Sequence, residues 1–142
     1  MNRLRALSAN ACLTLGLFGF PGSQAMAQNS VDCTGPQTQI EMTYCAEQDW
    51  NAADADLNAV YKTAMGKMHE VDSYLSDSLK GAADALRDAQ RAWITYRDKA
   101  CAAYGYLARG GTMEPQLIYI CRANLTRERT KELKDLAEGL GN

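Results

Sequence analysis

The sequence predicts an all-α fold, a small disulfide-stapled three-helix antiparallel bundle in which a long helical hairpin is followed by a shorter third helix. Three observations predict it. Apolar residues recur at intervals of three and four in three long segments, the period of a buried helical stripe. β-branched residues are scattered and never alternate over a useful length, so no strand is expected. Four of the five cysteines lie beyond an export leader, and an even number in an exported chain of this size reads as two disulfides.

The leader spans residues 1–27. Arg3 and Arg5 supply its positive start, an apolar run extends from about Ala6 to Phe20, and Ala25-Met26-Ala27 is a small-x-small cleavage site. The run is too short to be a spanning helix. Cys12 lies inside it without the small residues that precede a lipidated cysteine, so no membrane anchor is expected after cleavage. The mature chain then starts at Gln28, with an N-terminal segment 28–37 carrying Cys33 and a helical domain 38–142.

The first helix opens at Thr38-Gln39-Ile40-Glu41, a capping box in which threonine and glutamate satisfy each other's orphan amides. Ala46, Trp50, Ala53, Leu57, Tyr61, Ala64 and Met68 make its apolar stripe, and Val71-Asp72-Ser73 reads as its end. Ser76 is the expected cap of the second helix, with Asp77 placed against the positive end of the dipole. Leu79, Ala82, Leu86, Ala89, Trp93, Tyr96 and Ala100 continue as its stripe. Glycine terminates helices cheaply, so Gly110-Gly111 is the expected stop, or Gly105 a turn sooner. Pro115 suits the first turn of the third helix, whose expected inward residues are Ile118, Cys121, Leu125, Arg129, Leu136 and Leu140.

Folding the chain near residues 73 and 111 gathers Cys33, Cys45, Cys101 and Cys121 at one end of the bundle. Three pairings remain open. A bridge closing 50 residues or more would stabilise by roughly 4 kcal/mol in the chain-entropy model. No CxxC occurs, and gaps of 12, 56 and 20 lack the close ligand pairs of a zinc site. The second helix also carries a seam beside its stripe: Gln90, Ile94, Arg97 and Cys101 lie next to the core-facing Trp93. Arg97 and Glu41 each lie one turn from a cysteine, which predicts a guanidinium–carboxylate pair across the seam.

Removing Arg3 and Arg5 from 15 basic residues leaves 13 against 17 acidic, a formal net charge of −4. Nine acids and two bases fall between Val31 and Asp77, and eight acids and eleven bases after it. That balance offers no basic stripe with interleaved aromatics, so nucleic acid is not an expected partner. His69 is the sole histidine and lies near the interhelical turn, which leaves no His-dependent nucleophile system at the cysteine end. Glu47, Asp49, Asp54 and Asp56 are plentiful carboxylates on a helix, where the spacing gives neither cleft nor cause for a raised pKa. No P-loop, dinucleotide fingerprint or HExxH is present. The expectation is a non-catalytic protein without metal or cofactor that acts by binding.

Cys33, then TQIEMTYCAEQDWNAADADLNAVY at 38–61, AQRAWITYRDKAC at 89–101, GGTMEP at 110–115 and Cys121 follow one another in an order that resembles the LprI-type family of secreted bacterial proteins. The resemblance implies a periplasmic or secreted lysozyme-inhibitor-like protein whose partner is another protein, a lysozyme. Gly110, Gly111, Thr112 and Met113 are the most loop-like feature beside the cysteines and the expected partner contact. The competing expectation is a structural or adaptor bundle of the cell envelope with no effect on lysozyme.

Overall fold

The computed structural model describes residues 31–139; the predicted leader, the start at Gln28 and Leu140 lie outside them. Three helices follow in order, α1 at Gln39–Tyr74, α2 at Ala82–Gly105 and α3 at Glu114–Glu138, with short 3-10 turns at Asp77–Leu79 and Tyr106–Ala108. No strand occurs among the described residues. α1 and α2 form the long hairpin, and α3, shorter than α1, returns beside both. Contacts such as Gln39 to Gln116 and Asp49 to Arg127 run α3 parallel to α1. Gln90 to Arg129 and Cys101 to Cys121 run it antiparallel to α2. α1 packs most extensively on α3 rather than on its hairpin partner.

The starts and stops have local causes. Thr38 caps α1: its hydroxyl accepts from the Glu41 amide, while the Glu41 carboxylate accepts from the amides of Gln37 and Thr38. Ser76 precedes only the 3-10 turn and makes no capping bond. α2 begins instead after Gly81, and the cap comes from the end of α1. The Asp72 carboxylate accepts from the amides of Gly81, Ala82 and Ala83. Those three amides, Gly81 first, hold the Asp72 carboxyl below the usual aspartate range. Gly105 does end α2, though with ordinary helical φ. Its need for glycine is spatial: an added Cβ would lie 2.6 Å from Ile118 Cγ1 on α3.

Two bridges form, Cys33–Cys45 and Cys101–Cys121. The first ties the N-terminal segment to α1, and the second ties α2 to α3. Separations of 12 and 20 residues replace the long loops expected from the sequence, and each then stabilises by about 3 kcal/mol in the chain-entropy model.

The α1 stripe packs as its periodicity predicts, with Ala46, Ala53, Leu57 and Ala64 buried. α2 is rotated from its expected face. Leu86 is buried, but Tyr96 is 61% exposed and Ala89 is exposed, while Gln90, Arg97 and Cys101 turn inward. Cys101 can reach Cys121 only from that face, and α1 and α3 present polar partners to Gln90 and Arg97. α3 is rotated likewise: Ala123, Thr126, Thr130 and Leu133 are its buried residues, and Ile118, Cys121, Leu125 and Arg129 are half-buried. The aliphatic core of Leu57, Ala64, Leu86 and Leu133 lies toward the end away from the disulfides. Among the described residues the cysteine half holds no large buried aliphatic cluster, and two disulfides with a buried guanidinium set between tryptophan rings take over the cohesive role there.

Candidate functional site

The polar seam is built around Arg97, whose side chain is 8% exposed. Its guanidinium lies 5.4 Å from the Trp50 ring and 5.2 Å from the Trp93 ring, between α1 and α2. Nη1 donates to Asp54 at 3.1 Å and Nε to Asp98 at 3.0 Å. Arg122 on α3 stacks on Trp50 at 4.9 Å and reaches ion-pair distance of Asp98, 3.3 Å, without hydrogen-bond alignment. A planar, delocalised cation tolerates this setting because two ring faces and two carboxylates replace its water.

The expected Arg97–Glu41 pair does not form. Glu41 spends its carboxylate on the amides of Gln37 and Thr38, which hold its pKa below the ordinary glutamate value. The helix register sets Arg97 level with Asp54, more than three turns farther along α1. Gln90 accepts from Arg129 Nε at 3.1 Å, and Trp93 supplies one face of the guanidinium sandwich. Asp98 and Arg122 are members of this cluster that the sequence did not single out, and Asp54, noted there only as one of several helix carboxylates, is the partner of Arg97. Arg122 follows Cys121 directly, yet its partners come from two other helices, so no local pattern announces it.

A second feature opens on the surface beside the disulfide end. The first two turns of α1 and the start of α3 enclose a groove of about 420 Å³, with Ile40, Tyr44 and Glu47 on one side and Thr112 and Pro115 on the other. Ile40 is 83% exposed. Of the expected contact residues Gly110, Gly111, Thr112 and Met113, all are exposed and Thr112 lines the groove. Gly110 takes φ +77°, and its amide donates to Glu114, which also pairs with Arg109. The amide first, then the guanidinium, keep Glu114 below the usual glutamate range. Ile40 and Tyr44 were missed as site residues, although an i, i+4 apolar pair lying off the buried stripe was legible.

The groove floor is held by named contacts. Gln39 Nε2 donates to Gln116 Oε1 at 2.8 Å, and the Tyr119 hydroxyl donates to Glu47 at 3.1 Å. Burial first, and then Glu47, raise the Tyr119 pKa. Tyr119 also stacks on Trp50, which links the groove to the guanidinium sandwich.

The family model for lysozyme inhibitor LprI matches residues 32–133, from the strap before Cys33 to the last buried leucine of α3. The chain belongs to the LprI family. Uncharacterized protein R02472 of Rhizobium meliloti strain 1021 is 47% identical over 118 residues, covering 81% of this chain and 85% of that protein. No solved structure gives a significant match. The LprI match embraces both disulfides, the Arg97 cluster and the groove. No helix among the described residues is long and apolar enough to cross a membrane. His69 is exposed.

Proposed function

We propose that the chain is a periplasmic or secreted, non-catalytic protein that inhibits a lysozyme by protein–protein contact. The observation that carries this reading is the LprI match over residues 32–133. Two structural features support it. The disulfides suit an oxidising compartment beyond the cytoplasm. An apolar groove beside a stapled helix end offers a rigid surface to a partner, because little motion is lost on docking there. In the cysteine half Glu41 caps α1, Asp49, Asp54, Asp98 and Glu114 hold ion pairs, and Glu47 accepts from Tyr119, an arrangement suited to scaffolding rather than to acid–base chemistry.

The test is lysis of bacterial cell walls by several lysozyme types with and without the purified chain at micromolar excess. A lowered lytic rate for at least one type is expected, and unchanged rates for all of them would reject inhibition. The envelope-adaptor reading draws on partly exposed Ile120 and Leu136 of α3. It predicts a partner that co-purifies from envelope extracts whether or not lysozyme is added, whereas the inhibitor reading predicts lysozyme-dependent capture.

A further inference from the structure

We propose that the groove between the start of α1 and the 112–115 segment is the docking site for a cationic protein surface that inserts one apolar side chain. The proposal deepens the lysozyme-inhibitor reading by naming the contact surface, and it rests on that reading for the identity of the first probe.

Exposure gives the first argument. Ile40 is 83% exposed and Tyr44 is 43% exposed in the opening turns of α1, where they flank Thr112 and Pro115 across the groove. A concave apolar site rimmed by polar groups is the usual form of a protein-contact hot spot, since an anchor side chain excludes water on entering it. Its walls are held before any partner arrives. The Cys33–Cys45 bridge and the capping box hold the start of α1, the Gln39–Gln116 bond ties α1 to α3, and Glu114 holds the loop through Gly110.

Charge names the partner. Residues 31–61 contain six acids and no Lys, Arg or His, and residues 114–121 add Glu114 without a base. Of the bases flanking this part of α3, Arg122 is half-buried over Trp50 at ion-pair distance of Asp98, and Arg109 is paired with Glu114. Glu47 stands in the groove wall, accepts from Tyr119 and makes no ion pair among the described residues. Asp49, Asp54 and Glu114 are paired with Arg127, Arg97 and Arg109, whereas Asp32, Glu41 and Glu47 make no ion pair among the described residues. This net negative excess beside an apolar cleft favours a partner of the opposite sign and speeds its approach. A second copy of the chain would set this acidic rim against itself, which disfavours self-association through the groove.

The experiment is titration calorimetry of the exported chain with a cationic lysozyme, using Ile40→Lys, Ile40→Ser, Glu47→Gln and a remote control, Ile94→Lys, on the exposed face of α2. Circular dichroism and melting confirm that each variant is folded. Glu47→Gln keeps an acceptor for Tyr119 while removing the charge. Expected results are about tenfold weaker binding for both Ile40 variants. Glu47→Gln should weaken binding at low salt only, an effect lost as screening rises, and the control should stay within about twofold. Binding by both Ile40 variants within about twofold of the parent, or an equal loss in Ile94→Lys, would overturn the proposal.

A second arm separates the two readings, using a Lys/Leu peptide and a Glu/Leu peptide of equal apolar content. Binding of the Lys/Leu peptide, weakened by Ile40→Ser, without binding of any lysozyme removes the lysozyme reading and leaves the groove proposal standing. Binding of neither probe removes both. Equal binding of the two peptides overturns the cationic assignment, and self-association abolished by Ile40→Ser assigns the groove to a second copy instead.

Discussion

Arg97 on α2 donates to Asp54 on α1 at 3.1 Å across 43 residues of chain, and the two ends of this bond are unequally buried. The Arg97 side chain is 8% exposed and that of Asp54 is 38% exposed. Loss of either partner therefore has different consequences, because only one would leave an uncompensated group inside the protein.

Arg97→Ala removes the cation that joins Trp50, Trp93, Asp54 and Asp98. Breaking a buried pair from its buried side is strongly destabilising, and screening at Asp54 reduces the figure to about 2–3 kcal/mol. A fall in Tm of about 10 °C or more follows for a domain of this size. Asp54→Ala is expected to cost about 1 kcal/mol or less, since Arg97 keeps Asp98 and both rings. Thermal melts of the single and double variants check this, and equal losses for the two singles would contradict it.

Acid should unfold the chain through the carboxylates that cap its helices. Asp72, Glu41 and Glu114 all have lowered pKa values in the folded state. Their contribution is therefore complete above the unfolded values and is lost as pH falls through the lower folded ones. Tm is expected to be level from pH 7 to about 5 and to drop below about pH 4. Asp72→Asn, which cannot titrate, should start from a lower Tm at pH 7 and decline less steeply on acidification. A parallel decline in parent and variant would show that Asp72 has no part in it.

Gly105 and Ile118 should be coupled. A methyl at Gly105 meets Ile118 Cγ1 at 2.6 Å and Cδ1 at 2.9 Å, so Gly105→Ala overpacks the α2–α3 contact at a cost of about 1–3 kcal/mol. Ile118→Ala opens space at the same place. The double variant is expected to lose less stability than the sum of the singles in a double-mutant cycle. Strict additivity would mean that the helices move apart instead.

The two bridges should differ in function within the fold. Cys101 is fully buried and joins two helices, whereas Cys33 is exposed and joins a strap to the start of α1. Replacing Cys101 and Cys121 together by alanine is expected to cost about 3 kcal/mol. Replacing Cys33 and Cys45 is expected to cost less, while loosening the groove. Limited proteolysis near residue 35 would report the second effect, and unchanged cleavage there would contradict it.

Helix existence and type were legible in the sequence wherever one element carried its own signal. The Thr38–Glu41 capping box and the Ala46–Met68 stripe needed no distant partner, and both appear as the spacing predicts. The seam was legible only as a set of residue types. Gln90 and Arg97 stand beside the apolar stripe of α2, and nothing in that helix says whether Tyr96 or Arg97 turns inward.

The sequence by itself determined three amphipathic helices, the cap of α1 and an even set of cysteines beyond the predicted leader, because those depend on residues within a few turns of one another. Tertiary structure alone decided the rotation of α2 and α3, the pairing of Arg97 with Asp54 instead of Glu41, the local pairing of the cysteines and the groove at Ile40. Each is settled by which side chains meet across helices. Register there depends on the simultaneous fit of a disulfide, a guanidinium and its partners, which no single stretch of chain encodes.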